Sequence, residues 1–330
     1  MSTLKVNTIQ DTTGNNALTI DSSGNVTASQ GFVPSTQLSH RNLIINGGFD
    51  VWQRGTTLTT GADHFLADRW NITPPATVST TTSKVFDSTL QQNMLKMELN
   101  AAGGIQFQHK IENFKWAHNK KLTFSFYAKS NVSHTMFVYL RIRNSSVNDL
   151  LDQDSVSLTS TLTKFVMTFD ASDLSGYTED SSSAIQLSFS SSGLSSGNYI
   201  QFGQAQLEVG SVATPFEHRS YGEELARCQR YYQEFGRTGY MSCRGNGTTA
   251  VSDALIPTAT VLRASPTITG GTWYATKGSG TTLYNGTGET YSVNSVSSQG
   301  VVVDISNIAN MTDNMVVVIQ VQSVTLDAEL

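Results

Sequence analysis

Apolar and polar residues alternate along most of this chain, and that period of two predicts strands. "LKMEL" (95–99) sets Leu95, Met97 and Leu99 on one face and Lys96 and Glu98 on the other. "GIQFQHKI" (104–111) repeats the pattern, with Ile105, Phe107, His109 and Ile111 together. "KLTFSFYAKS", "TMFVYLRIR", "KFVMTFD", "AIQLSFSSS" and "YIQFGQAQLEV" follow, each bounded by Ser, Gly, Asn or Asp. Strands at this spacing without helical runs between them predict an antiparallel sandwich or jelly roll over 42–219. The period changes once. "SYGEELARCQRYYQEFG" (220–236) carries Ser220 and Glu223 as a capping box, an i,i+4 pair of Glu223 with Arg227, and Leu225, Cys228, Tyr232 and Phe235 at helical spacing. This predicts one linking helix, stopped at Gly236. Residues 237–330 return to strands such as "GVVVDIS" and "MVVVIQVQSVTL", read as a small C-terminal β-sandwich. The expected class is all-β.

The first 41 residues differ. Short apolar stretches, "LKV", "LTI" and "NVT", are separated by the turn clusters "DTTGNN" and "DSSGN". So little apolar surface makes no private core, so the segment is expected to be a β arm buried against something else, followed by the linker "GFVPSTQLSH" (31–40).

Composition narrows the function classes. Charged residues are only 14% of the 330, and the formal net charge is −5, with no Lys/Arg cluster denser than Arg141 and Arg143. A nucleic-acid binder would need a basic stripe. The start lacks an apolar signal region, and "MVVVIQV" (315–321) is too short to span a bilayer; membrane insertion is not expected. Cys228 and Cys243 make no disulfide framework, which fits a soluble chain made in a reducing compartment. "GNGTTA" (245–250) matches a dinucleotide-loop spacing but no helix pattern follows it, so a turn is expected. "DHFLADRW" offers Asp63, His64 and Asp68 as metal ligands, against the simpler reading of a loop with an Asp68–Arg69 contact. Glu112, Asp149, Asp152 and Asp154 are available carboxylates, but a polysaccharide hydrolase needs two facing each other across a cleft, and "NSSVNDLLDQDS" reads as a solvated loop. The chain is expected not to be an enzyme.

"NLIINGGFDVWQRG" (42–55) with "ADRW" (67–70) resembles the opening of carbohydrate-binding-like modules found in bacteriophage tail proteins. "KLTFSFYAKS" (121–130) resembles that module's central strand, and "QLEVGSVATPFEHRSYGEELARCQRYYQ" (206–233) its closing strand and helix. "LRASPTIT" (262–269) is similar to a stretch of the β domain that often follows. "STLKVNTIQDTTGNNALTIDSSGNVT" resembles an N-terminal segment shared by structural proteins of marine bacterial viruses, cyanophages among them. The resemblance implies a first strand inside the sandwich, with Leu43, Ile44, Ile45 and Phe49 covered on both faces and a turn of positive φ at Gly47 and Gly48. It implies Trp52 and Trp70 plugging the core, with Arg54 or Arg69 nearby. It also makes Asp50 and Glu208 weak candidates for a structural calcium; no other cofactor is expected.

Function then divides into a tail-fibre adhesin for a host-surface glycan, a virion structural protein without receptor binding (head fibre, capsid decoration or tail adaptor), and a polysaccharide-degrading tail enzyme. The adhesin is the expected one, placed on the virion surface. Trp273, Tyr274, Tyr284 and Tyr291 are the candidate glycan platform, since the apolar face of a pyranose stacks on aromatic rings. The arm is expected to dock to other virion proteins and to make a homotrimer through Leu4, Val6, Ile9, Leu18, Ile20 and Val26.

Overall fold

A computed structural model describes residues 6–10, 12–20, 22, 26–28, 40–75, 78–237, 241–245, 250–269, 272–277, 282–286, 290–297, 300–306 and 316–329. The chain divides into a unit of residues 1–41 and a compact unit of residues 42–330. It is an all-β protein with one α-helix.

The first unit is a three-stranded antiparallel meander of β1 (Thr8–Gln10), β2 (Asn16–Ile20) and β3 (Val26–Ala28). Ile9 lies opposite Leu18, and Ile20 N donates to Asn7 O at 2.8 Å. Ile9 is exposed, while Val6, Leu18 and Ile20 are half-buried. Leu4 and the side chain of Val26 lie outside the described residues.

The second unit opens with two antiparallel sheets. Their strands are β4 (Thr57–Thr60), β5 (Trp70–Ile72), β6 (Thr80–Asp87), β7 (Gln92–Leu99), β8 (Gly103–Glu112), β9 (Lys121–Ser130), β10 (His134–Arg143), β11 (Asn148–Leu158), β12 (Thr163–Asp170), β13 (Ala184–Leu194) and β14 (Tyr199–Val209). One sheet runs β11-β10-β13-β8-β5 and the other β12-β9-β14-β7-β6-β4. Alternation decides which side chains meet between them. Leu95, Met97 and Leu99 face Ile105 and Phe107, with Met136, Val138, Leu140 and Ile142 beyond, all in one buried cluster. Its centre is aromatic: Trp70 is fully buried, with ring centroids of Phe49 and Phe202 at 5.1 and 5.4 Å. Edge-on and tilted contacts of this kind add to the large area each ring removes from water.

The opening stretch 42–56 is buried or half-buried as far as Arg54 but is not a strand. Only isolated backbone bonds tie it to β14, Leu43 N to Leu207 O and Ala205 N to Gly47 O, both 2.9 Å. Asparagine side chains do the rest. Asn46 Nδ2 donates to Val51 O (2.8 Å) and Asp68 O (3.0 Å), and its Oδ1 accepts from the amides of Asp50 and Val51. Asn42 Oδ1 accepts from Ile44 N and Leu207 N. Side-chain bonding of this sort competes with a ladder and wins here. Ile44 and Phe49 are covered as expected, whereas Leu43 and Ile45 are half-buried. Positive φ falls at Asn46 (58°) and Phe49 (55°), not at Gly47 or Gly48. Gly47 is needed for close approach instead: a Cβ there would stand 2.1 Å from Ala205 O.

Helix α1 (Tyr221–Gln229) is shorter than the helical spacing suggests. Ser220 caps it by accepting from Glu223 N, and Arg227 pairs with Glu223 at 3.0 Å. Tyr232 and Phe235, whose spacing also fits a helix, sit on β15 (Tyr232–Arg237), because the Tyr-Tyr-x-x-Phe stretch is better suited to a pleated surface. Cys228 is fully buried, and burial pushes its thiol well above the usual range.

After β15 come β16 (Met241–Gly245), β17 (Ala250–Pro257), β18 (Thr267–Thr269), β19 (Thr272–Lys277), β20 (Thr282–Gly286), β21 (Thr290–Val296), β22 (Gly300–Ser306) and β23 (Val316–Asp327). They form one nine-stranded antiparallel sheet, β20-β19-β23-β16-β17-β22-β21, with β15 and β18 also paired to β23. This sheet is tied to the sandwich by arginines. The Arg54 guanidinium lies 3.6 Å from the Tyr232 ring centroid and pairs with Asp68, Asp327 and Glu329. Arg69 lies 3.4 Å from the Tyr231 ring and pairs with Glu329. The two arginines of "WQRG" and "DRW" therefore stack on tyrosines just beyond the helix, not on the tryptophans.

Candidate functional site on the outer face of the five-stranded sheet

Strands β8, β10 and β13 of the five-stranded sheet bury most of one half of their alternation and leave most of the other at least partly open, while β5 is buried throughout. The half turned away from the core presents Phe137, Tyr139, Arg141 and Arg143 from β10, Gln186, Ser188 and Ser190 from β13, Gln106, Gln108 and Lys110 from β8, and Asn71 from β5. Antiparallel register lines them up across the strands. Tyr139 stands beside Ser188, then Gln108, then Asn71; Arg141 beside Gln186, then Lys110; Phe137 beside Ser190, then Gln106. Neighbours in such rows are about 5 Å apart, and successive rows about 7 Å.

The central strand carries serines where its flanking strands carry Tyr, Phe and Gln. That difference in side-chain volume leaves a depression of about 460 Å³, lined also by Asp63, Thr73 and Asn148. Its floor is a directed relay of hydrogen bonds. Arg143 Nη1 donates to Gln186 Oε1 (3.1 Å), Gln186 Nε2 to Gln108 Oε1 (2.7 Å), and Gln108 Nε2 to Asn71 Oδ1 (3.0 Å). Thr73 Oγ1 donates to the same Asn71 oxygen at 2.9 Å. Each amide is fixed in one orientation, so the groups that meet a ligand are already ordered, which lowers the entropic cost of binding. Tyr139 makes one wall aromatic, and Phe137, two residues before it on β10, continues that surface outside the depression: the two rings run at 21° to one another with centroids 6.3 Å apart, and the Arg141 guanidinium lies 5.4 Å from the Tyr139 ring. Phe137 is 45% exposed, an unusual place for a phenylalanine. Amides and guanidiniums beside a flat apolar wall match the alternating hydroxyls and apolar faces of a sugar.

None of the residues singled out for glycan contact lies in this depression. Trp273 and Tyr274 are on β19, and Tyr284 on β20 opposite Ala275, so the backbone brings these three together. Tyr291 is on β21, at the other end of the sheet order. The side chains of all four lie outside the described residues. Asp50 accepts from Asn93 Nδ2 at 3.3 Å, and Glu208 uses both carboxylate oxygens on Thr214. Among the described residues no three His, Cys, Asp or Glu side chains gather around a common point. Asp68 takes the backbone amide of Gln53 at 2.7 Å and pairs with Arg54 rather than with its neighbour Arg69; burial pushes its carboxyl up. His64 bridges Ala62 O and Thr82 Oγ1. Asp149, Asp152 and Asp154 are on β11, a paired edge strand and not a solvated loop. The ladder to β10 overrides their polarity, and exposed acids on an edge discourage further pairing. Glu112 is held by Arg230 and the Tyr231 hydroxyl.

The signal for the depression was present in "TMFVYLRIR" (135–143). Its apolar half is the core, and its other half, Phe-x-Tyr-x-Arg-x-Arg, is a run of large aromatic and basic side chains.

No known protein family matches the chain, and no curated protein matches it. Among solved structures it is similar to a family 4 carbohydrate-binding module, at 20% identity over 51% of this chain and 99% of that one, with a TM-score of 0.33. It is similar to a family 61 module in complex with β-1,4-galactotriose, at 11% identity over 52% and 99%, with a TM-score of 0.32. It is also similar to the enzymatically active domain of tailspike protein 4 of bacteriophage CBA120, at 15% identity over 51% of this chain but 21% of that one, with a TM-score of 0.33.

Proposed function

We propose that the protein binds glycan through the outer face of its five-stranded sheet and serves on the virion as a tail-fibre subunit that attaches to host-surface polysaccharide. The observation that carries the glycan reading is the depression itself: the half-buried Tyr139 ring, continued outside it by the exposed Phe137, beside a relay of fixed amides. A binding role suits it better than cleavage, because Asp63 is the one carboxylate among its described lining residues and glycoside hydrolysis ordinarily takes two. Titration of host-surface polysaccharide fragments by calorimetry tests the reading. The Tyr139→Ala protein should bind at least about tenfold more weakly with an unchanged melting temperature, since Tyr139 lies outside the core. Unchanged affinity overturns it.

The place on the virion rests on the N-terminal resemblance and on the arm's exposed or half-covered Val6, Ile9, Leu18 and Ile20, which one copy of a three-stranded meander cannot bury. In this reading three chains pair there and dock to other virion proteins. Protein beginning at His40 should fold, lose its trimeric mass by light scattering, and fail to join particles. Incorporation at normal levels, or a monomeric full-length protein, overturns that part.

A further inference from the structure

The depression is charged in a way that a neutral sugar would not use. Arg141 and Arg143 project into it two positions apart on one strand, and every ion pair among the described residues lies elsewhere. Arg143 uses one of its five N–H donors on Gln186, and the Arg141 guanidinium lies over the Tyr139 ring, 5.4 Å from its centroid. The body around them is acidic, with 26 Asp and Glu against 21 Lys and Arg, so two guanidiniums without carboxylates are a local reversal. The field of Arg143 reaches Lys110. Burial first, and then repulsion by Arg143, Arg69 and Arg263, brings the Lys110 ammonium down to about 8 despite the attraction of Glu329. Asp63 is the lone carboxylate on the rim, exposed and outside ion-pair distance of either arginine.

Resting on the reading of this face as the glycan site, we propose that its ligand is an acidic glycan, whose carboxylate or sulfate is held by Arg141 and Arg143 while an adjoining ring lies on Tyr139 and Phe137. A planar guanidinium meets a carboxylate or a sulfate with two parallel N–H donors, which a hydroxyl cannot match. Gln186 supports this by accepting from Arg143 and so fixing its plane, which makes Gln186 a positioning residue. The depression is wide enough for a ring on the aromatic wall and a charged substituent one row further along, since rows are about 7 Å apart.

The test uses the full chain and three probes: an oligogalacturonate, the same oligosaccharide fully methyl-esterified, and a sulfated galactan oligosaccharide. Ester and acid differ only at the carboxyl, which loses its charge and gains a methyl group, so their affinity ratio compared between wild type and the double arginine variant isolates the arginines. The acid or the sulfated probe should bind about ten- to hundredfold tighter than the ester. That advantage should vanish in the Arg141→Gln/Arg143→Gln protein and shrink when salt rises from about 0.05 to about 0.5 M. The carboxylate and sulfate arms say which anion is preferred. Equal binding of acid and ester, or an advantage that survives in the double variant, overturns the inference. If the ester binds wild type as well as the acid does, and Tyr139→Ala abolishes both, the glycan site stands and only its acidic preference falls. If no probe binds, both fall. Melting temperatures of the variants should match wild type, because both side chains lie on the outer face.

Discussion

Asn46 holds the opening segment in place of a β-ladder, and its replacement gives a magnitude that the geometry fixes. The Asn46→Ala change removes four side-chain hydrogen bonds: two accepted from the amides of Asp50 and Val51, and two donated to Val51 O and Asp68 O. Asn46, Val51 and Asp68 are all shut away from water, so solvent cannot replace most of them. At about 1 kcal/mol net for each bond, the loss is about 4 kcal/mol. Asn46 also has a φ of 58°, where asparagine is tolerated and alanine costs about 1 kcal/mol more. The expected total is about 5 kcal/mol. Asn46→Gly should lose the bonds without the conformational cost and fall about 1 kcal/mol short of the alanine variant. Urea unfolding followed by tryptophan fluorescence reads this directly, since Trp70 Nε1 donates to Asn46 O and Trp52 Nε1 to Phe49 O. A loss below about 2 kcal/mol would show that water or a shifted backbone takes over the asparagine's role. A glycine variant no more stable than the alanine one would remove the argument from φ.

Three further outcomes follow from the same contacts. Gly47→Ala should cost at least about 2 kcal/mol in the same assay, because its Cβ would stand 2.1 Å from Ala205 O and break the bond between those residues; a neutral effect would mean β14 moves freely. His109 is fully buried, its Nε2 on Ile45 O and its Nδ1 without a partner, and burial holds the imidazole well below its ordinary 6.5. A base with a depressed folded value gives stability that is complete above the unfolded value and lost as pH falls below it, with a slope of up to about 1.4 kcal/mol per pH unit. Relative to His109→Gln, wild type should therefore lose stability between pH 7.5 and pH 5, by roughly these amounts, and parallel melting curves across that range would exclude His109 as the source. Glu329→Gln leaves Arg69, whose side chain is 1% exposed, without its charged partner. That should cost about 3 kcal/mol and expose the C-terminal sheet to protease before the sandwich, and an unchanged cleavage pattern would show that the sheet is held by other contacts.

How much of this was legible depends on which half of the alternation is considered. Leu95, Met97 and Leu99, and likewise Ile105, Phe107 and His109, are buried as their period of two indicates, because one-sided burial writes itself into single strands. The opening segment was harder. Apolar runs such as Leu43–Ile45 mark burial without saying whether a ladder or side chains satisfy the backbone, and only the asparagines at 42 and 46 hint at the second solution. Residues 232–235 were ambiguous in the opposite sense, since Tyr232 and Phe235 fit a helical spacing, and the decision came from pairing with β23, more than 80 residues away.

The depression shows why the outer face was the least legible. Apart from the core rings of Phe107 and Phe189 and the loop residues Asp63 and Thr73, its lining comes from the polar half of the strands, where composition varies freely and a local pattern has no fixed target. Phe137, Tyr139, Arg141 and Arg143 are visibly on one face of "TMFVYLRIR". What they can do together is set by neighbours that sequence order conceals: β10 lies between β11 and β13, and β13 beside β8, so serines at 188 and 190 open a space that glutamines at 106 and 108 floor. Swap β13 with an edge strand and the same four residues would line no cavity. The core half of each strand is thus constrained by what it must exclude, water, and is read from one segment at a time. The outer half is constrained by what it must admit, and that is readable only after the strand order is known.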